Sequence, residues 1–246
     1  IVWDQVVFQP TAEEAGVIHA KNSLASSTAL IVDGVIYAHF GHMGTAALSL
    51  KDGKIAWKFH ETYLSKHGNG GSPVLAGNVL IFSADGEEKG LLRGLDARSG
   101  KKIWEVDRDM KVNQKFSFGT PVVIADDGGA LVVCQGSGMV GAYRPASGEL
   151  VWSVDYGSGF SVVPRPVVDE GIAYVTTGFG KPNLLAISLA GAKGDVTKTQ
   201  VRWSPNGIFL KLLRSWFRET LFFSLKIRVA SAVLTRKRES GFGWNL

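Results

Sequence analysis

Four tryptophans, Trp57, Trp104, Trp152 and Trp203, divide this chain at intervals of 47, 48 and 51 residues. The first three close near-copies of one phrase: "SLKDGKIAW" (Ser49 to Trp57), "DARSGKKIW" (Asp96 to Trp104) and "RPASGELVW" (Arg144 to Trp152). In each, a glycine (Gly53, Gly100, Gly148) precedes the tryptophan by four positions. A second landmark keeps step upstream, because Pro73 to Trp104 and Pro121 to Trp152 are both 31 residues. It belongs to the triplets "SPV", "TPV" and "RPV", which begin at Ser72, Thr120 and Arg165. Two landmarks held in register at a period of about 40–50 residues mark a repeat architecture, in which each unit buries its apolar face against the next.

Each unit parses into four short strands. In the second unit they are "PVLA", "NVLIFSA", "LLRGLDA" and "KKIWEV". The turns between them carry Ala-Gly-Asn and Asp-Ala-Arg-Ser-Gly, where glycine supplies the positive φ of a tight turn and Asp or Ser bonds nearby amides. Four strands per unit predict an all-β chain, a β-propeller of four-stranded antiparallel blades. An immunoglobulin-like sandwich has similar strands but does not repeat its turn and its tryptophan in register. The tryptophan ends the last and outermost strand of each unit, where a buried ring covers the gap to the neighbouring blade. That is a structural role.

The composition agrees, with 30 glycines, 7 tryptophans and 45% hydrophobic residues in 246. No apolar run reaches the roughly 18 residues that would span a bilayer. A single cysteine, Cys134, excludes an internal disulfide and a cysteine-rich metal site. The net charge of +5 is confined to one end. From Pro205 onward eight Lys or Arg face only Glu219 and Glu239, whereas residues 1–204 hold 19 basic and 20 acidic groups. The blades therefore carry no nucleic-acid footprint.

The chain divides accordingly into blades over residues 1–204 and an aberrant basic tail over 205–246. Within the tail, Ile208 to Leu225 reads as a basic amphipathic helix, which would meet a membrane surface if the reading frame is genuine. A second reading removes that role. "LTRKRESGFGW" (Leu234 to Trp244) can be encoded so that a shifted frame spells D-A-K-T-G-E-R-V-W, the next copy of the repeated phrase. The tail is thus expected to be a frameshifted fifth blade. At the other end Trp3, in "IVW", fits the last strand of an earlier blade.

Candidate chemistry is sparse. His39 and His42 form a pair with no third ligand at metal-site spacing, and His60 and His67 flank a loop. "GNGGS" (Gly68 to Ser72) lacks the helix and Lys-Ser/Thr pair of a phosphate cradle and reads as turn chemistry. "DGEEKG" (Asp85 to Gly90) reads as a solvated hairpin tip, and Cys134 as a small packed hydrophobe. No catalytic, cofactor-binding or metal-ligating residue is assigned.

The pattern D-A-x-[ST]-G-x-x-x-W closely resembles the tryptophan-docking motif of the PQQ-like β-propeller repeat family, over about Thr28 to Trp203. That family includes quinoprotein dehydrogenases and the propeller lipoprotein of the outer-membrane protein assembly machinery. The resemblance implies that Trp57, Trp104 and Trp152 dock on an adjacent blade, with Gly53, Asp96, Gly100 and Gly148 shaping the turns. The fourth unit departs, since "SLAGAKGDVTKTQVRW" replaces the compact turn before Trp203. By resemblance this is a partial ring, about four to five blades of a parent with seven or eight. The dehydrogenases hold pyrroloquinoline quinone (PQQ) over calcium with an Asp base, many with a disulfide between adjacent cysteines. One cysteine rules out the disulfide, and no residue here matches the base or the calcium ligands. The expected role is therefore a non-enzymatic scaffold without cofactor in the bacterial cell envelope or periplasm. It would meet other proteins, and no nucleic acid, through blade edges and loops. The alternative is a fragment of a PQQ-dependent alcohol or sugar dehydrogenase, using PQQ with calcium.

Overall fold

A computed structural model of the chain describes residues 1–16, 18–20, 22–179 and 183–202. Trp203 and the tail, with its helix and frameshift readings, lie outside the described residues. A short helix, α1 (Ala12–Ala15), precedes the first sheet. That sheet holds β1 (Leu30–Val32), β2 (Val35–His39), β3 (Thr45–Ser49) and β4 (Ile55–Phe59). The second holds β5 (Val74–Ala76), β6 (Val79–Asp85), β7 (Gly90–Asp96) and β8 (Lys102–Asp107), matching the four strands read from the sequence. The third is built from β9 (Val122–Asp126), β10 (Gly129–Gly136), β11 (Met139–Tyr143) and β12 (Leu150–Asp155). Next come β13 (Val167–Asp169), β14 (Ile172–Thr176), β15 (Leu184–Ser188), β16 (Gly194–Asp195) and β17 (Val201–Arg202). In all four sheets the strands pair antiparallel in sequence order, except that β16 leaves the fourth sheet and adds in parallel to β12.

Burial explains the composition of each strand. The middle strands β6 and β7 are covered on both faces, so their residues are apolar in consecutive runs. After a register shift at its start, the outer strand β8 alternates, with Trp104 inward and Ile103 and Glu105 outward. Successive sheets stack face to face. Tyr37 and Trp57 of the first pack on Leu80 and Phe82 of the second. Ile81 and Trp104 of the second meet Val132 and Tyr143 of the third, and Val133 and Trp152 of the third meet Val175 and Ile187 of the fourth. These are consecutive blades of a β-propeller, with the core between the sheets.

The repeated phrase is one structure made three times. Gly53, Gly100 and Gly148 have φ of 70°, 71° and 74°. Each donates its N–H to the carbonyl four residues earlier, on Ser49, Asp96 and Arg144, at 2.9, 2.8 and 2.9 Å. An indole from the preceding unit lies on each turn. Trp57 Nε1 donates to Ala97 O at 2.9 Å and Trp104 Nε1 to Pro145 O at 2.8 Å. Their rings cover Gly100 and Gly148 so closely that an added Cβ would come within 2.5 and 2.7 Å. Trp3 repeats the arrangement on the first blade, donating to Leu50 O at 3.0 Å and covering Gly53. Across the strand pair each ring faces a small residue, Ala47 for Trp57, Gly94 for Trp104 and Ala142 for Trp152.

Trp152 is buried in a different way. The long excursion after Leu189 carries β16 alongside it, with Gly194 opposite Trp152 and Val196 in the same apolar cluster. The departure visible in the fourth unit thus covers the outer edge of the third blade with an added strand.

Candidate functional site

The connections between blades bring a row of rings together. His67 from the β4–β5 loop packs edge-on against Phe116 of the β8–β9 loop at 5.4 Å. Phe116 meets Phe160 of the β12–β13 loop at 5.5 Å, and Phe160 meets Phe179 of the β14–β15 loop at 5.6 Å. The row is buried at Phe116 and emerges at Phe179, which is 69% exposed; Val163, in the same loop as Phe160, is 62% exposed. Sequence reasoning missed this row, although "FSFG" (Phe116 to Gly119) and "GFSV" (Gly159 to Val162) mark it in successive units.

A second connection runs along the heads of the first strands. Thr28 N–H donates to Ser72 Oγ at 2.9 Å, and Ser72 N–H donates to Thr120 Oγ1 at 3.0 Å. The hydroxyl before each proline therefore accepts from the equivalent backbone amide of the preceding unit. Arg165 stands at the next such position, and an arginine side chain has no acceptor to offer. Ser72 in the "GNGGS" stretch is thus part of a structural link.

Between the second and third blades lies a buried polar cluster. Asp85, the last residue of β6, pairs with Arg108, and both side chains are 0% exposed. Ser117 Oγ donates to Asp85 Oδ2 at 2.6 Å, and Arg108 Nη1 lies 3.2 Å from Cys134 Sγ. Burial disfavours the Arg108 cation, but Asp85 beside it more than offsets this and keeps the guanidinium charged. Burial also raises the Asp85 carboxyl, with Arg108 opposing. The Cys134 thiol is pushed up to about 11 by burial, which Arg108 only partly offsets. Burial thus favours the protonated thiol, the less nucleophilic form. The hairpin-tip reading of "DGEEKG" therefore needs correction. Glu88 and Lys89 are exposed, but Asp85 is drawn under the sheet by Arg108.

His39, His42 and His60 lie apart from one another, while His67 packs edge-on against His19 at 5.3 Å. His39 shares a hydrogen bond of 2.8 Å with Thr45 Oγ1 and packs on Phe82 at 4.3 Å. His42 Nε2 sits 3.1 Å from Ala15 O, and His60 lies beside Phe8. Among the described residues no group of three or more His, Cys, Asp or Glu is placed to hold a metal ion. Asp85, a fully buried carboxylate, is already neutralised by Arg108. The donor set of the described residues does not fit a calcium-and-quinone centre.

His39 makes stability depend on pH. Burial, and then the nearby Arg93 charge, lower its pKa to about 3. Its unfolded value is near 6.5, so below that pH the unfolded chain binds a proton that the folded chain refuses. Acidification from about pH 6.5 towards 4 is expected to cost about 1.4 kcal/mol per pH unit from this group alone. Denaturant unfolding across that range checks it. His39→Phe should flatten the slope, and an unchanged slope would remove His39 as the cause.

Comparison with known proteins places the chain. The family model described as "Outer membrane protein assembly factor BamB" matches residues 2–105 and 88–206. The 1-butanol dehydrogenase (cytochrome c) of Thauera butanivorans is 28% identical over 155 residues, covering 55% of this chain and 21% of that protein. Outer membrane protein assembly factor BamB of Yersinia pestis is 31% identical over 104 residues, covering 41% of this chain and 25% of that protein. The chain thus spans between a fifth and a quarter of the length of these relatives. The crystal structure of BamB from Moraxella catarrhalis superposes with a TM-score of 0.52 at 17% identity, over 68% of this chain and 51% of that one, which supports the fold. No helix among the described residues is long and apolar enough to cross a membrane. With the family model covering most of its length and the propeller blades in place, the chain belongs to the PQQ-like β-propeller family of outer membrane protein assembly factor BamB.

Proposed function

We propose that this chain is part of a non-enzymatic scaffold in the bacterial cell envelope, presenting its loops and blade edges to protein partners. Its kinship includes both an assembly factor and an alcohol dehydrogenase, so the choice rests on the chain's own residues. The observation that carries it is the contrast between two places. The buried groups capable of chemistry, Asp85, Arg108 and Cys134, are engaged with one another, Asp85 and Arg108 as an ion pair and Cys134 against the same guanidinium, although Asp85 Oδ1 and Arg108 Nε keep no hydrogen-bond partner. The loop surface, meanwhile, exposes Phe179 at the end of an aromatic row, and Val163 in the loop that carries Phe160. Exposed aromatic side chains on a rigid support suit protein recognition. The near-neutral blades argue for proteins over nucleic acid as partners.

The alternative, a PQQ-dependent dehydrogenase fragment, is favoured by the relation to the butanol enzyme. The full chain is expected to reduce no dye when given PQQ, calcium and an alcohol; turnover above the protein-free rate would replace the scaffold reading. Phe179→Ser is expected to keep the fold and to lose co-isolation of envelope proteins. Unchanged co-isolation would move the interface elsewhere.

A further inference from the structure

The first strands of the third and fourth blades stand apart, and a groove of about 730 Å³ opens between β9 and β13. The groove lies where a series of hydroxyl links between blades ends. Thr28, Ser72 and Thr120 join the heads of the first strands across the first three blades, and the series stops where Arg165 replaces the acceptor. β9 and β13 are each the terminal strand of their sheet on the side away from the outer strand, so each leaves an unpaired row of backbone N–H and C=O groups along its free edge. The lining is mixed: Val122, Ile124, Val168 and Leu189 supply its apolar part, and backbone groups with Asp126, Asp127 and Arg165 the polar part. The volume falls within the range of about 300–1,000 Å³ common to ligand sites.

The groove is also charged at its two ends. β9 and β13 are equivalent strands and run the same way, so Arg165, which precedes β13, and Asp127, which follows β9, mark opposite ends. Both are exposed, and neither joins an ion pair among the described residues; the neighbouring Asp126 is the one held by Arg144.

We infer that this groove takes an extended peptide segment of a partner protein, added as a strand antiparallel to β13. A basic residue of the segment meets Asp127 at its start and an acidic residue meets Arg165 at its end. The inference rests on the protein-binding reading above and names a surface and a partner chemistry for it. Backbone pairing at a free sheet edge supplies affinity, and alternate side chains supply selectivity. At about 3.4 Å per residue, a segment matching β9 is five or six residues long. Its apolar residues fall at alternate positions, so that one set lies on the valine and isoleucine floor. The two end charges fix its direction.

The test uses the full chain and two fluorescein-labelled peptides with blocked ends, Lys-Thr-Val-Thr-Val-Glu and its reverse, Glu-Val-Thr-Val-Thr-Lys, followed by anisotropy. The first is expected to bind saturably and the reverse about tenfold more weakly. Arg165→Glu and Asp127→Lys should each weaken the first peptide by about tenfold. The double variant should prefer the reverse peptide. Both sites are exposed, so thermal melting should be unchanged and will show that the variants fold. No saturation up to about 1 mM, equal binding of the two peptides, or indifference to both charge reversals would overturn the inference. The dye-reduction and Phe179→Ser measurements do not involve Arg165 or Asp127. Failure of the groove and failure of the scaffold reading are therefore separately visible.

Discussion

Trp57→Ala is expected to lower the unfolding free energy by about 3–5 kcal/mol, the range for removing a large buried aromatic. The ring is only 9% exposed and packs among Tyr37, Leu80, Phe82 and Leu95, so its loss opens a cavity between the first two blades. It also strips Ala97 O of its donor. The ring and Gly100 are coupled, and the coupling can be measured. Gly100→Ala alone carries two penalties, a left-handed backbone at φ 71° and a Cβ within 2.5 Å of the Trp57 ring. The backbone part is about 1–2 kcal/mol. Gly77→Ala carries that part alone, since its φ is 59° and a Cβ there meets nothing within 4 Å. In the Trp57→Ala background the steric part vanishes, so the double variant should cost less than the sum of the singles by about 0.5–3 kcal/mol. Chemical denaturation followed by circular dichroism measures all four. Additive costs, or a Trp57→Ala loss below about 1 kcal/mol, would show that the indole does not lock the blades.

The turn at Gly100 was legible because everything it needs is local. The positive φ, the bond from Gly100 N–H to Asp96 O, and the Asp96 side chain accepting from Ser99 N–H lie within five residues, and the repeat prints the first two three times. The middle strands were legible for a similar reason, since burial on both faces forces an unbroken apolar run such as that in β6. Contacts that close across blades leave no such trace. Arg108 sits in "DRDMK", a stretch as polar as any surface loop, and only tertiary structure brings it under Asp85, 23 positions away. The hydrophilic neighbours Glu87, Glu88 and Lys89 made Asp85 look like part of a solvated tip. The excursion in the fourth unit was visible as a broken pattern. Its destination beside Trp152 was not, because parallel pairing with an earlier blade is a property of the assembled sheets.

Arg108→Met is the second variant expected to have a large effect, at about 3–5 kcal/mol, because it leaves a carboxylate uncompensated in the interior. An exposed arginine such as Arg98 should change stability by less than about 0.5 kcal/mol when replaced in the same way. The loss at Arg108 should also depend on pH. Burial already raises the Asp85 carboxyl while Arg108 opposes it, so removing the guanidinium lets the folded-state value climb further above the unfolded value of about 3.9. A group whose pKa is raised by folding contributes fully below its unfolded value and loses that contribution as pH rises. The penalty of Arg108→Met relative to the parent should therefore shrink near pH 4 and grow towards pH 7. The His39 effect runs the other way with pH but is shared by both proteins, so it cancels in the difference. Adding Asp85→Leu should recover part of the loss and abolish its pH dependence, because an apolar pair removes the stranded charge. Unfolding midpoints for the parent, the single variant and the double variant at pH 4.5 and 7 decide it. A pH-independent loss, or one no larger than that of the Arg98 variant, would mean that Asp85 is not carried as a charge between the second and third blades.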